Sequence, residues 1–128
     1  MNLLLDSHVF VWMHEEPQKL SASATQEILN SANQIFLSVA SAWELQIKRA
    51  LGKFGFSDTL ENVILEERRT NGLRILPVEL RHALYLENLP PHHKDPFDRL
   101  LISQAIVENL IIISADRNFA KYQASLLW

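Results

Sequence analysis

Four short apolar runs, each followed by a stretch of helical periodicity, leave this chain few architectures. The runs are Leu3 to Asp6 (LLLD), Gln34 to Val39 (QIFLSV), Leu73 to Val78 (LRILPV) and Leu110 to Ser114 (LIIIS). Continuous apolar runs of this length suit strands buried on both faces, as in a parallel sheet. Helical patterns lie between them: Leu20 to Ala32 with Ser21 or Ser23 as cap, Ala40 to Leu51 stopped by Gly52, and Ser57 to Asn71 stopped by Gly72. Two more run from Glu79 to Asn88 and from Pro96 to Asn109, and a short one from Asn118 to Ala124. Parallel strands joined through helices need right-handed crossovers, so the expected fold class is α/β: an open parallel sheet of four to five strands flanked by helices. With 128 residues and no internal repeat, low-complexity tract or linker, residues 1–128 read as a single domain.

The absence of cysteine removes disulfides, thiolate metal sites and thiol nucleophiles together. It points to a reducing, cytoplasmic setting and leaves any metal to oxygen or imidazole ligands. The opening MNLLLD has no basic leader and is broken by Asp6, so neither a secretion signal nor a membrane anchor is expected. A formal net charge of −3 argues against a protein that coats nucleic acid through bulk charge. Any such contact must be local.

In open α/β sheets ligands bind beyond the carboxyl ends of the strands. Asp6 closes the first run, Glu44 lies near the start of the helix after the second, and Asp116 sits two residues past the fourth. Asp98 stands in the first turn of the helix opened by HHKDPFDRLLISQA. Asp95 as cap and Pro96 at the first helical position suffice to start that helix, which leaves Asp98 for a shared pocket if the helix begins at the same edge. Converging carboxylates repel, and burying them raises their pKa values unless a cation lies between them. Mg²⁺ or Mn²⁺ is the simplest remedy and suits phosphodiester hydrolysis. Each acid also has a structural alternative. Asp6 could cap the next helix, Glu44 could pair with Lys48 four residues on, and Asp116 could serve the turn in ADRN. Their common position at strand ends favours the shared site.

His8, His14 and His82 fall in helical patterns and read as packing or surface residues. His92 and His93 could contact phosphate, orient Asp98 or brace the loop. Trp12 and Trp43 recur at core-facing spacing and read as core before base-stacking platforms. Lys48, Arg49, Lys53, Lys94, Arg99 and Arg117 lie near the proposed edge and could hold a nucleic-acid backbone, although a solvated helical face explains some of them.

The segments LLLDSHVFVW, SVASAWELQIKRALGKF, LPPHHKDPFDRLLISQA and IIISADRNFAKY, in that order, cover almost the whole chain. Together they resemble the PIN-domain ribonucleases, specifically the VapC-type toxins of type II toxin–antitoxin pairs. The family's acidic cluster falls on Asp6, Glu44, Asp98 and Asp116. Ser7 and Ser114 stand where the family usually has threonine, and both keep a hydroxyl. The resemblance implies a PIN-like open sandwich and a Mg²⁺- or Mn²⁺-dependent endoribonuclease, with those acids as catalytic and metal-binding residues and Ser7, Ser114, Asp95 and His93 in support. It also implies an RNA substrate, a cognate antitoxin whose extended C-terminal segment covers the site, and a homodimer or a hetero-oligomer with that antitoxin. An inhibitor could place a basic side chain among the carboxylates and lay apolar residues along the helices that carry Trp12, Trp43 and Phe54, with Lys48, Arg49, Lys53, Arg99 and Arg117 at the rim. The alternative is a catalytically silent PIN-like module that binds RNA or protein, and the intact four acids count against it. A phosphate-accepting receiver is disfavoured because DSH and SADRN replace its paired acids and lysine. A phosphatase with an aspartate nucleophile is disfavoured because the second acid expected shortly after Asp6 is His8.

Overall fold

The two-residue alternation of the first strand organises the molecule. In the computed structural model, which describes residues 1–53 and 56–128, Asn2–Leu5 form β1. Leu3 and Leu5 face one apolar layer and Leu4 the other, and all three are wholly buried. A strand covered on both sides belongs at the centre of a sheet. The other strands are β2 (Gln34–Ser38), β3 (Arg74–Leu76), β4 (Ile111–Ile113) and β5 (Ser125–Leu127), in the order β3-β2-β1-β4-β5 with every pair parallel. The register sets Leu3 beside Ile35 on one side and Ile111 on the other.

The helices are α1 (Ser7–Glu15), α2 (Ala22–Leu29), α3 (Val39–Ala50), α4 (Leu60–Asn71), α5 (Leu80–Leu84) and α6 (Pro96–Glu108). Phe10 of α1, Ile28 of α2, Leu45 of α3 and Val63 of α4 pack with Leu3 and Leu5. Leu101, Ile102 and Ala105 of α6 join Leu4, Phe119 and Tyr122 on the other face. The chain therefore builds one side of the sheet through β2 and β3, then returns to the other side for β4 and β5. This reversal at β1 leaves a crevice at the carboxyl ends of β1 and β4, the usual ligand position in such sheets.

Several elements differ from the sequence expectation. Helix α4 begins at Leu60 because the Thr59 hydroxyl, rather than Ser57, accepts the capping N–H of Asn62 at 3.1 Å. The pattern from Glu79 to Asn88 splits into α5 and a 3₁₀ turn, Tyr85–Asn88, and the final helical pattern is a 3₁₀ turn at Arg117–Lys121. Strand β5, absent from the four apolar runs, pairs Leu126 with Ile112 at the sheet edge. Among the described residues no helix is long and apolar enough to cross a membrane.

One buried amide ties the layers together at the site's end of the sheet. Gln104 of α6 is fully buried, and its Oε1 accepts the Ser38 hydroxyl at 2.5 Å while its Nε2 donates to the Pro77 carbonyl at 3.2 Å. The same Ser38 oxygen accepts the Ala40 N–H at 3.1 Å and so caps α3. Gln104 thus links the ends of β2 and β3 and the start of α3 to α6. Replacement by Leu strands the Ser38 hydroxyl and the Pro77 carbonyl in a dry interior, at roughly 1–3 kcal/mol per group. Gln104→Leu is expected to lower the urea midpoint accordingly with an unchanged denaturant slope.

Candidate active site

Asp6 follows β1 directly, and its N–H continues the ladder by donating to the Ile113 carbonyl at 3.0 Å. It occupies the N-cap position of α1, yet its side chain makes no capping bond. Instead Ser114 Oγ donates to Asp6 Oδ2 at 2.7 Å and Ser7 Oγ lies 3.4 Å from Oδ1 as a second donor. Ser114 closes β4 and also accepts the Asp116 N–H at 3.0 Å. Both hydroxyls predicted as supporting groups therefore hold the first acid, which is 5% exposed. The capping role that the sequence leaves open for Asp6 is not the one its carboxylate plays.

Asp95 is the cap of α6, its Oδ1 accepting the N–H groups of Phe97 at 2.8 Å and Asp98 at 3.1 Å. Its own N–H donates to His93 Nδ1 at 3.2 Å, which leaves the proton of a neutral ring on Nε2. That Nε2 lies 3.0 Å from Asp98 Oδ2 and 3.6 Å from Asp116 Oδ2. Neither approach is aligned as a hydrogen bond, and Nε2 is buried without one, so these contacts are electrostatic. The ring rests near Phe119, and the His93 N–H donates to the Tyr122 hydroxyl at 2.7 Å. His93 thereby joins Asp98 to Asp116, while His92 is exposed beside Tyr122. Asp116 also serves its turn, since its Oδ1 accepts the Asn118 N–H at 2.9 Å.

Glu44, one turn into α3, is 6% exposed and pairs with Lys48 at 3.5 Å. The ion pair anticipated for a surface exists, but its acidic partner is buried. Asp98 feels the whole set: burial chiefly, then the charges of Asp6, Asp95, Glu44 and Asp116, push its pKa up to about 8. Self-repelling hard oxygens are a donor set suited to Mg²⁺ or Mn²⁺. Ligand atoms of Asp98, Asp116 and His93 lie within 4.8 Å of one another. With Nδ1 already accepting an N–H, His93 fits better as a positive edge beside the acids than as a ligand.

The proposed cationic rim divides. Lys48 and Lys53 line a groove beside the site, and Arg117 is exposed next to Asp116. Arg49 lies nearer Asp58, whose carboxylate it helps to hold below its usual range after the Asn62 and Thr59 hydrogen bonds. Arg99 points elsewhere, into the loop before α6. There Nη1 donates to the Pro90 carbonyl at 3.0 Å and Nη2 to those of Leu86 and Leu89 at 3.4 and 3.5 Å. Its planar fork braces that loop, so a phosphate contact is not what its geometry serves. Trp43 is 62% exposed rather than core, because the buried face of α3 carries Ala40, Ser41, Glu44 and Leu45. Trp12 is half-buried and also lines the groove. Phe54 lies outside the described residues. Sequence reasoning misses Gln104 altogether, although a lone Gln three residues after Leu101 and one before Ala105 is a polar group at core spacing.

The family model of the PIN domain matches residues 3–124. Ribonuclease VapC22 of Mycobacterium tuberculosis is 31% identical over 128 aligned residues, covering 94% of this chain and 92% of that protein. Two solved structures share the fold at lower identity. VapBC2 from Rickettsia felis, bound to a promoter DNA fragment, is 20% identical with a TM-score of 0.74 over 99% of this chain and 98% of that one. VapBC-5 from Mycobacterium tuberculosis, a member of the VapBC family of toxin–antitoxin systems, is 18% identical with a TM-score of 0.59 over 98% and 95%.

The crowding at Asp98 has a measurable sign. Its carboxyl keeps a proton to about pH 8 in the folded chain but releases it near 3.8 when unfolded. The folded state binds the extra proton between these values, so metal-free protein loses stability as pH rises from about 4 to about 8. Thermal unfolding in EDTA across that range should show a falling Tm, and Asp98→Asn should flatten the slope.

Proposed function

The chain belongs to the PIN-domain family, and on that premise we propose that it is a metal-dependent endoribonuclease, the toxin of a toxin–antitoxin pair. The observation that carries this reading is the convergence of Asp6, Glu44, Asp98 and Asp116 on one sheet edge, with Asp98 pushed up to about 8 by burial and by the other acids. The likeness to Ribonuclease VapC22 supports RNA as the substrate. Under this reading the four carboxylates hold Mg²⁺ or Mn²⁺. When bound, the ion acidifies an attacking water and neutralises charge on the phosphate and the leaving oxygen. Ser114 fixes the Asp6 carboxylate in one orientation through its 2.7 Å bond. His93 sets its protonated nitrogen against Asp98 and Asp116 and limits their mutual repulsion. Lys48 balances Glu44 and, with Lys53 and Arg117, offers positive charge to the RNA backbone.

The antitoxin reading is supported by the VapBC neighbours and by two surfaces at the site. The first is the acidic edge, which a guanidinium can enter in place of the cation because it stays charged and bonds carboxylates through several N–H groups. The second is an exposed apolar groove between α3 and α4, lined by Val39, Trp43, Ile64 and Leu65. A segment disordered when free would fold along this groove and deliver its basic side chain to the acids.

Replacing Asp6 or Asp98 by Asn removes one of four charges that bind the ion, whose contribution of several kcal/mol corresponds to about 10²–10³-fold in rate. Either variant is expected to remain folded and to lose RNA cleavage by that factor. EDTA should abolish wild-type cleavage and Mg²⁺ or Mn²⁺ restore it. Wild-type rates in the purified variants, or activity surviving exhaustive chelation, contradict the assignment.

Titration of the purified partner into the cleavage assay should stop the reaction at stoichiometric binding. Charge reversal at Lys53 should shift the titration midpoint. A partner that binds while cleavage runs at full rate contradicts occlusion.

A further inference from the structure

Beside the acidic edge, α1 and α3 leave a groove of about 340 Å³ with Val11, Trp12 and Leu45 as apolar walls and Lys48 and Lys53 as cations. Its volume falls in the range of roughly 300–1,000 Å³ typical of small-ligand sites. A second depression of about 310 Å³, formed by Asp6, His8, Trp12, Ala115 and Asp116, shares His8 and Trp12 with it. The two depressions therefore meet at His8 and Trp12, beside the Asp6 and Asp116 carboxylates. His8 Nδ1 lies 4.0 Å from Asp6 Oδ1, and Lys48 reaches within 3.5 Å of Glu44.

The indole at this junction is braced. Trp128 lies 5.9 Å from the Trp12 ring and His8 6.1 Å, both tilted, and Lys19 Nζ stands 5.9 Å from the ring centroid. Glu16, the acid at the groove, is paired with Lys19 at 2.9 Å. A protein of net charge −3 thus gathers cations and a supported aromatic ring beside its acidic centre. Aromatic platforms flanked by lysines are how proteins hold unpaired nucleotides, because every base has a face to stack and every linkage a charge to neutralise.

We propose that this groove is a nucleotide subsite, in which the residue of single-stranded RNA next to the cleaved linkage lays its base on Trp12 while Lys48 and Lys53 hold its backbone. The assignment rests on the nuclease reading above and adds to it the place of one substrate residue. A base enters only when it is free of its own stack, so loops and single strands are the substrates this geometry selects. The lysines and the wall shared with the carboxylates favour an anionic, aromatic occupant over an apolar peptide, whose place is the Trp43 groove.

The test uses the full chain and a short single-stranded RNA of mixed sequence, read by steady-state cleavage with Mg²⁺ or Mn²⁺ and by fluorescence anisotropy with Ca²⁺. Trp12→Leu and Lys53→Ala are expected to raise KM and Kd about tenfold each, with kcat within twofold, since stacking one base is worth about that factor. Trp12→Phe should recover most of the loss, because a phenyl ring also stacks. Unchanged KM and Kd in Trp12→Leu, beside an active wild type, overturn the subsite and leave the nuclease reading intact. So does a Trp12→Leu protein that loses only its protein partner. A wild type that binds the RNA without cleaving it overturns the nuclease reading alone, and the Kd comparison still decides the subsite. Should Trp12→Leu fail to fold, Trp12→Phe and the exposed Lys53→Ala decide it.

Discussion

Mutual repulsion among carboxylates drawn to one edge of a sheet is the constraint around which this molecule is arranged. Unbraced acids would turn outward to water. Here each is held from a different direction: Asp6 by the Ser114 and Ser7 hydroxyls, Glu44 by Lys48, and Asp98 by its place at the start of a helix and by the His93 ring. Burial, and after it the charges of Asp6, Asp95, Glu44 and Asp116, still push Asp98 up to about 8. Two apolar layers around Leu3, Leu4 and Leu5 supply the burial free energy that keeps so strained an edge folded.

The braces are themselves anchored. Ser38 caps α3, the helix of Glu44, while bonding Gln104 on α6, the helix of Asp98. The helices that carry those two acids are thus linked through a buried amide as well as by their direct packing. A side-chain amide suits this position because it donates to the Pro77 carbonyl with one end and accepts the Ser38 hydroxyl with the other.

How much of this is legible in the sequence follows from the range of each interaction. The acids are legible because a strand's end and its first following residues are local in sequence, and Asp95 because capping spans three residues. The Ser38 to Gln104 bond joins residues 66 apart, and no local pattern announces such a partner. Helical spacing places Trp43 on a face without saying which face the sheet covers. Arg99 resembles a phosphate ligand by its neighbours, yet the carbonyls of Leu86, Leu89 and Pro90 that engage it become a cluster only when their loop folds back. Strand β5 is three residues long and half-buried, too short for a pattern of its own.

The strand order carries a consequence for how the edge is assembled. The hydroxyl that orients Asp6 belongs to Ser114, 108 positions later, and β1 lies between β2 and β4, which comes much later in the chain. Contacts of such separation form last, after the cost of closing a long loop has been met. Asp6 and Glu44 therefore gain their later partners only once β4 has docked beside β1. The acidic edge is thus a product of the finished sheet and not of any one segment, since the first half of the chain holds Asp6 and Glu44 while Asp98, Asp116 and the hydroxyl that orients Asp6 lie in the second.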